Sequence, residues 1–189
     1  MKQLVLEPTS TAQWYALVNE AERARDCKLD ETMESYLVFL LMRFATRPDM
    51  AARVMALDYL NGMSARGRLQ VEQLRDVGDH CLLYSGLYPR RVERRAVRLS
   101  YFVGLGRSSY HQISHLLHHG GAQVYEQLAD MFVTLMEVLH AMRALDGHAV
   151  LDPLSAAELW QDTGSRGARQ ALQEVTDGTP VPSGTRRPH

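Results

Sequence analysis

Cysteine is almost missing from this chain of 189 residues: Cys27 and Cys81 are the only two, far apart and in no Cys-x-x-Cys arrangement. Reduced thiols in a cytosolic protein are the expectation. Long apolar runs are missing too. The longest, Tyr36 to Met42, falls far short of the roughly 20 residues that span a bilayer. The opening MKQLVLEPTS has no apolar stretch of the secretory-signal kind, so a cytoplasmic location and no membrane contact are expected. Period-2 alternation is nearly absent, which leaves little room for strands. A large net charge is absent as well. At −1, the chain has no global field to recruit nucleic acid or an anionic surface.

The length suffices for one domain with a sizeable core plus a tail. Hydrophobic residues make up 46% and charged residues 23%, ordinary for a globular protein. The charges are unevenly placed. Residues 7 to 34 hold seven acids against three bases, while residues 90 to 107 hold six arginines against Glu93. Mutual complementation, within a monomer or across a homodimer, is the simplest expectation.

Helical periodicity organises the rest. Ser10-x-x-Gln13 has the form of a capping box and opens a helix running to about Asp26. A second helix starts at Asp30; it is apolar on every side from Tyr36 to Met42 and is therefore expected at the centre of a bundle. Pro48 suits the first turn of a third, which frays near Asn61-Gly62. A fourth runs from Leu69 to Ser85 and is closed by Gly86 and Pro89. A fifth covers Arg90 to Gly104, Gly106 marks a stop, and Ser109-x-x-Gln112 opens a short sixth to His118. Gly120-Gly121 precedes a long seventh, Ala122 to Leu145.

Beyond Asp146-Gly147 the composition shifts. Asp152-Pro153 with Ser155-x-x-Glu158 signals a brief helix to Trp160, and from Gln161 onward small and polar residues dominate. Such a segment has little apolar surface to offset its ordering entropy, so a mobile tail is expected. The fold expected is all-α: a single irregular bundle of about six or seven helices over residues 1–146, then a short helix and flexible tail over 147–189.

The stretch from Arg75 to Tyr110 concentrates the unusual features: small residues interrupt apolar helix at Gly78, Ser85-Gly86, Gly104 and Gly106, with a run of arginines between them. Close packing of helices explains the glycines better than an anion-binding loop does. RDVGDHCLLYSGLYP followed by LSYFVGLGRSSY, with ESYLVFLLMRF upstream, resembles a pattern in a widespread, functionally uncharacterised family of bacterial helical proteins of about this length. The matching positions are Arg75, Gly78, Asp79, Leu82, Ser85, Gly86, Tyr101, Phe102, Gly106 and Tyr110. The resemblance covers about residues 10 to 145. It implies a helical bundle of bacterial origin and no particular activity.

Three constellations bear on chemistry. Arg91, Arg94, Arg95 and Arg98 lie at i, i+3, i+4 and i+7 on one stripe; their guanidinium forks suit phosphate or carboxylate. With Arg107 and Tyr110 they form the candidate partner- or anion-binding face, the bland alternative being a solvated stripe paired with acids such as Asp30, Glu31, Glu126 and Asp130. His111, His115 and His118 share a second stripe that suits zinc, nickel or copper, although exposed histidines of this kind also bind metal adventitiously. Glu137-x-x-His140 has the spacing of one half of a di-iron element, with Glu34, Asp76, Asp79 and His80 as imaginable partners, but the second copy such a site needs is missing. Asp79 falls beside the core; paired with an arginine or with Tyr101 or Tyr110 it would be structural, whereas unpaired in a cleft it would favour a functional role. No constellation is complete enough to name a reaction. The expectation is a non-catalytic adaptor or regulatory module with a protein partner and no required cofactor, a metal remaining open. A metal- or cofactor-dependent helical enzyme is the alternative, and an anion or nucleic-acid binder the third reading.

Overall fold

The computed structural model describes residues 10–45, 55–89, 97–118, 120–145 and 151–175, and all regular structure among them is helical. Nine helices follow in order: α1 Ser10–Ala24, α2 Glu31–Ala45, α3 Met55–Ser64, α4 Gly67–Leu87, α5 Leu99–Leu116, α6 Gly120–Asp130, α7 Phe132–Ala144, α8 Pro153–Thr163 and α9 Arg166–Val175. The six or seven expected from periodicity are too few. None is long and apolar enough to cross a membrane.

The central helix is α4, not α2. It buries Leu74, Val77 and every residue from Gly78 to Gly86, and α3, α5 and α7 all pack against it. A helix enclosed this fully needs neighbours that come close, and glycine admits them. A β-carbon at Gly78 would lie 2.5 Å from the Tyr110 ring of α5, and one at Gly86 would lie 2.5 Å from Leu139 of α7. From the other side, a β-carbon at Gly106 would meet the Phe132 ring at 2.6 Å and Cys81 at 2.9 Å. Helix α2 instead flanks α1 and α6. It buries Met33, Leu37, Val38, Leu40 and Leu41 but leaves Phe39 59% exposed. An unbroken apolar run thus did not mean burial on every side.

Gly106 and Ser109 do not separate two helices, as their residue types suggested. Both lie inside α5, where Ser109 Oγ donates back to the Leu105 carbonyl at 2.9 Å and Gly106 makes room for Phe132. The expected start of the fifth helix, residues 90–96, lies outside the described residues, as does Pro48. The long seventh helix is two: α6 and α7 meet at Met131, whose φ of −89° and ψ of 6° depart from helical values.

Residues 161–175 are not a flexible tail. Asp152 caps α8, accepting from the Leu154 and Ser155 amides at 3.0 and 3.1 Å, and Gly164 ends it with a φ of +70°, the left-handed geometry that glycine supplies at helix ends. Helix α9 then returns against α8, burying Gly167, Ala168 and Leu172. Its apolar side is narrow but built of small residues, so little area suffices once α9 can approach closely. Residues 176–189 lie outside the described residues.

Candidate functional site

Asp79 sits inside the bundle at 1% exposure and is fully engaged. Its Oδ1 accepts the hydroxyls of Tyr36 at 2.6 Å and Tyr110 at 2.7 Å, and its Oδ2 pairs with Arg43. Helices α2, α4 and α5 are thereby joined through one carboxylate. A buried charge is tolerated when it is paired and its lone pairs are filled, and here both conditions hold. Burial and the adjacent Asp79 charge push Tyr36 and Tyr110 well above the usual phenol range, so both remain protonated donors. Ring contacts extend the cluster: Tyr125 of α6 stands edge-on to Tyr36 at 6.4 Å and tilted against Tyr110 at 6.0 Å between ring centroids.

One side of this network opens to solvent. A cleft of about 230 Å³ is lined by Tyr36, Phe39, Leu40, Arg43, Arg75, Asp79 and Tyr125. Arg75 does not form the i,i+4 pair with Asp79 that its spacing suggests, since Arg43 occupies that role. Its Nε is buried and has no hydrogen-bond partner among the described residues, while its guanidinium lies beside Tyr125 and partly opposes the upward shift that burial and Asp79 impose on that phenol. Exposed Phe39 also lines the cleft.

The other candidate residues are dispersed. Arg91, Arg94 and Arg95 lie outside the described residues. Arg98 reaches Glu158 at 3.5 Å and Asp162 at 3.6 Å on α8, so the acids it meets are not those of residues 7 to 34. Arg107 donates to the Ala129 carbonyl at 3.0 Å. Asp30 caps α2 through the Thr32 and Met33 amides. Glu34 accepts from Asn19 at 2.6 Å.

Glu137 and His140 share α7 but face different tasks. Glu137 Oε1 accepts from Ser165 Oγ at 2.6 Å and from the Gly167 amide at 3.1 Å, fixing the start of α9. His140 is buried and its Nε2 donates to the Ser85 carbonyl at 2.8 Å. Burial lowers its pKa to about 4, the bond to Ser85 working against the shift. His80 Nδ1 bonds to the Asp76 carbonyl, one turn back on its own helix, and its Nε2 has no partner among the described residues. Among the described residues, no three His, Cys, Asp or Glu side chains are grouped to hold a metal. Cys81 is buried, and burial alone raises its thiol far above the ordinary range. His111 and His115 stack at 6.0 Å between centroids, while His118 lies beyond the end of α5, exposed.

Of the expected site residues, only Tyr110 belongs to the Asp79 network. Sequence reasoning left Asp79 open between a paired structural group, with Tyr110 among the partners named, and an unpaired functional one, and it missed Tyr36, Phe39, Arg43 and Tyr125. Arg43 carried a signal: it is the one charge in the apolar run from Tyr36 to Phe44, and Tyr36 stands two turns before it on the same face. Comparison with protein-family models, with characterised proteins and with solved structures gives no match, so the reading of the site rests on its geometry.

Proposed function

We propose that this chain is a non-catalytic binding module that recognises a protein partner through the cleft between α2, α4 and α6. The observation that carries this reading is the meeting of two groups in one opening: exposed Phe39 and the Arg75 guanidinium, which lines the cleft beside Tyr125 and whose Nε has no hydrogen-bond partner among the described residues. A carboxylate entering the cleft would pair with this guanidinium in a charge-assisted hydrogen bond. An apolar side chain beside the carboxylate would cover Phe39. The partner segment that fits therefore carries an acidic residue next to an aliphatic or aromatic one, bound as an anchor and a charge-assisted hydrogen bond.

Catalysis is disfavoured by the state of the interior groups. General acid–base work needs a side chain able to exchange a proton near neutral pH. Asp79 is held by three donors, Tyr36 and Tyr110 are shifted upward, His140 is neutral and bound to a carbonyl, and the Cys81 thiol is shifted away from thiolate.

Purification of the untagged protein with its bound partner from its own host tests the proposal. The expected result is a stoichiometric partner lost with either Phe39→Ala or Arg75→Glu and kept with Leu154→Ala, a change at a 70% exposed residue outside the cleft. Retention of the partner by both cleft variants would overturn it.

A further inference from the structure

We propose that His111 and His115 form a binding clasp for one divalent transition-metal ion on the outer face of α5, a site separate from the cleft. The two rings are nearly parallel, 13° apart, with centroids 6.0 Å from each other. Both residues are exposed. Neither ring has a hydrogen-bond partner among the described residues, whereas His80 through Nδ1 and His140 through Nε2 each hold a main-chain carbonyl. Two imidazoles are thus uncommitted and side by side.

The backbone beneath them is fixed. Tyr110 and Ile113, on the opposite side of the same turns, are fully buried, and the helix continues to Leu116 with the Leu117 amide bonded to the Ile113 carbonyl at 3.0 Å. An ion held at i and i+4 then costs only rotation of two side chains, with no main-chain ordering. The position also suits a cation, because the C-terminal turns of α5 present the negative end of the helix dipole. An all-imidazole donor pair selects borderline ions, copper(II) ahead of nickel and zinc, over magnesium or calcium, which require oxygen ligands. Water would complete the coordination. His118 lies past the helix end and takes no part.

Calorimetric titration of the untagged protein with copper(II), read alongside electron paramagnetic resonance, tests this directly. One ion per chain with hyperfine coupling from two imidazole nitrogens is expected. His111→Ala and His115→Ala should each weaken binding about tenfold or more, because a chelate becomes a single ligand, and His118→Ala should change little. Circular dichroism of each variant verifies that folding is intact. The assignment is overturned if no ion binds, if the double variant His111→Ala/His115→Ala binds as the parent does, or if His118→Ala removes the site while His115→Ala leaves it.

Discussion

The ring of Tyr110 occupies the space that a side chain at Gly78 would need, for a β-carbon there would come within 2.5 Å of it. Alanine is about 1 kcal/mol better than glycine within a helix, so Gly78→Ala would stabilise an exposed helix. Here the displaced Tyr110 is fully buried and bound to Asp79. Overpacking of this kind costs about 1–3 kcal/mol, and a net loss of stability is expected in urea denaturation. Stabilisation would show that α5 can move away from α4 freely.

Asp79 gives the sharpest contrast between partners. Asp79→Ala removes the acceptor shared by two buried hydroxyls and Arg43, which keeps Asp76 at 3.9 Å, and a loss of about 3 kcal/mol is expected. Tyr110→Phe removes one hydrogen bond and leaves the others, for about 1–2 kcal/mol. In the double variant the two losses should fall short of their sum, since both act on one network.

The buried His140 sets a pH dependence. Its folded pKa of about 4 lies below the ordinary 6.5, so the unfolded chain takes up a proton at pH values where the native protein does not. Stability is therefore complete above pH 6.5 and declines as the pH falls towards 4, by about 3 kcal/mol from this group. His140→Gln should flatten the slope of stability against pH over that window. An unchanged slope would mean that His140 gains its proton without cost in the fold.

The helical class and the capping of α8 by Asp152 could be read from residue types, because both depend on local chemistry. The helix boundaries were harder. Gly106 followed by Ser109 has the form of a stop and a start, and only the Phe132 ring, brought in from α7, shows why α5 runs through it. Likewise the run from Tyr36 to Met42 has no polar residue to mark an outer face, so the exposure of Phe39 depends on which helices α2 meets. Asp79 was legible as a residue beside the core, but its partner Arg43 lies 36 residues away and is set by tertiary packing.

Glu137 is the link between α7 and the C-terminal helix. Glu137→Ala removes the acceptor for Ser165 and the Gly167 amide, and a cap of this kind is worth about 0.5–2 kcal/mol. Hydrogen exchange should accelerate over residues 166–175 while the protection of α4 changes little. Equal acceleration in α4 would indicate that α9 is part of the cooperative core.

Recognition of a partner at the cleft can be detected by photo-crosslinking in the host cell. A photoreactive phenylalanine replacing Phe39 is expected to give one discrete adduct, suppressed by Arg75→Glu, whereas the same probe at Leu154 gives none. No adduct at residue 39, or the same adduct from both positions regardless of Arg75, would contradict the account.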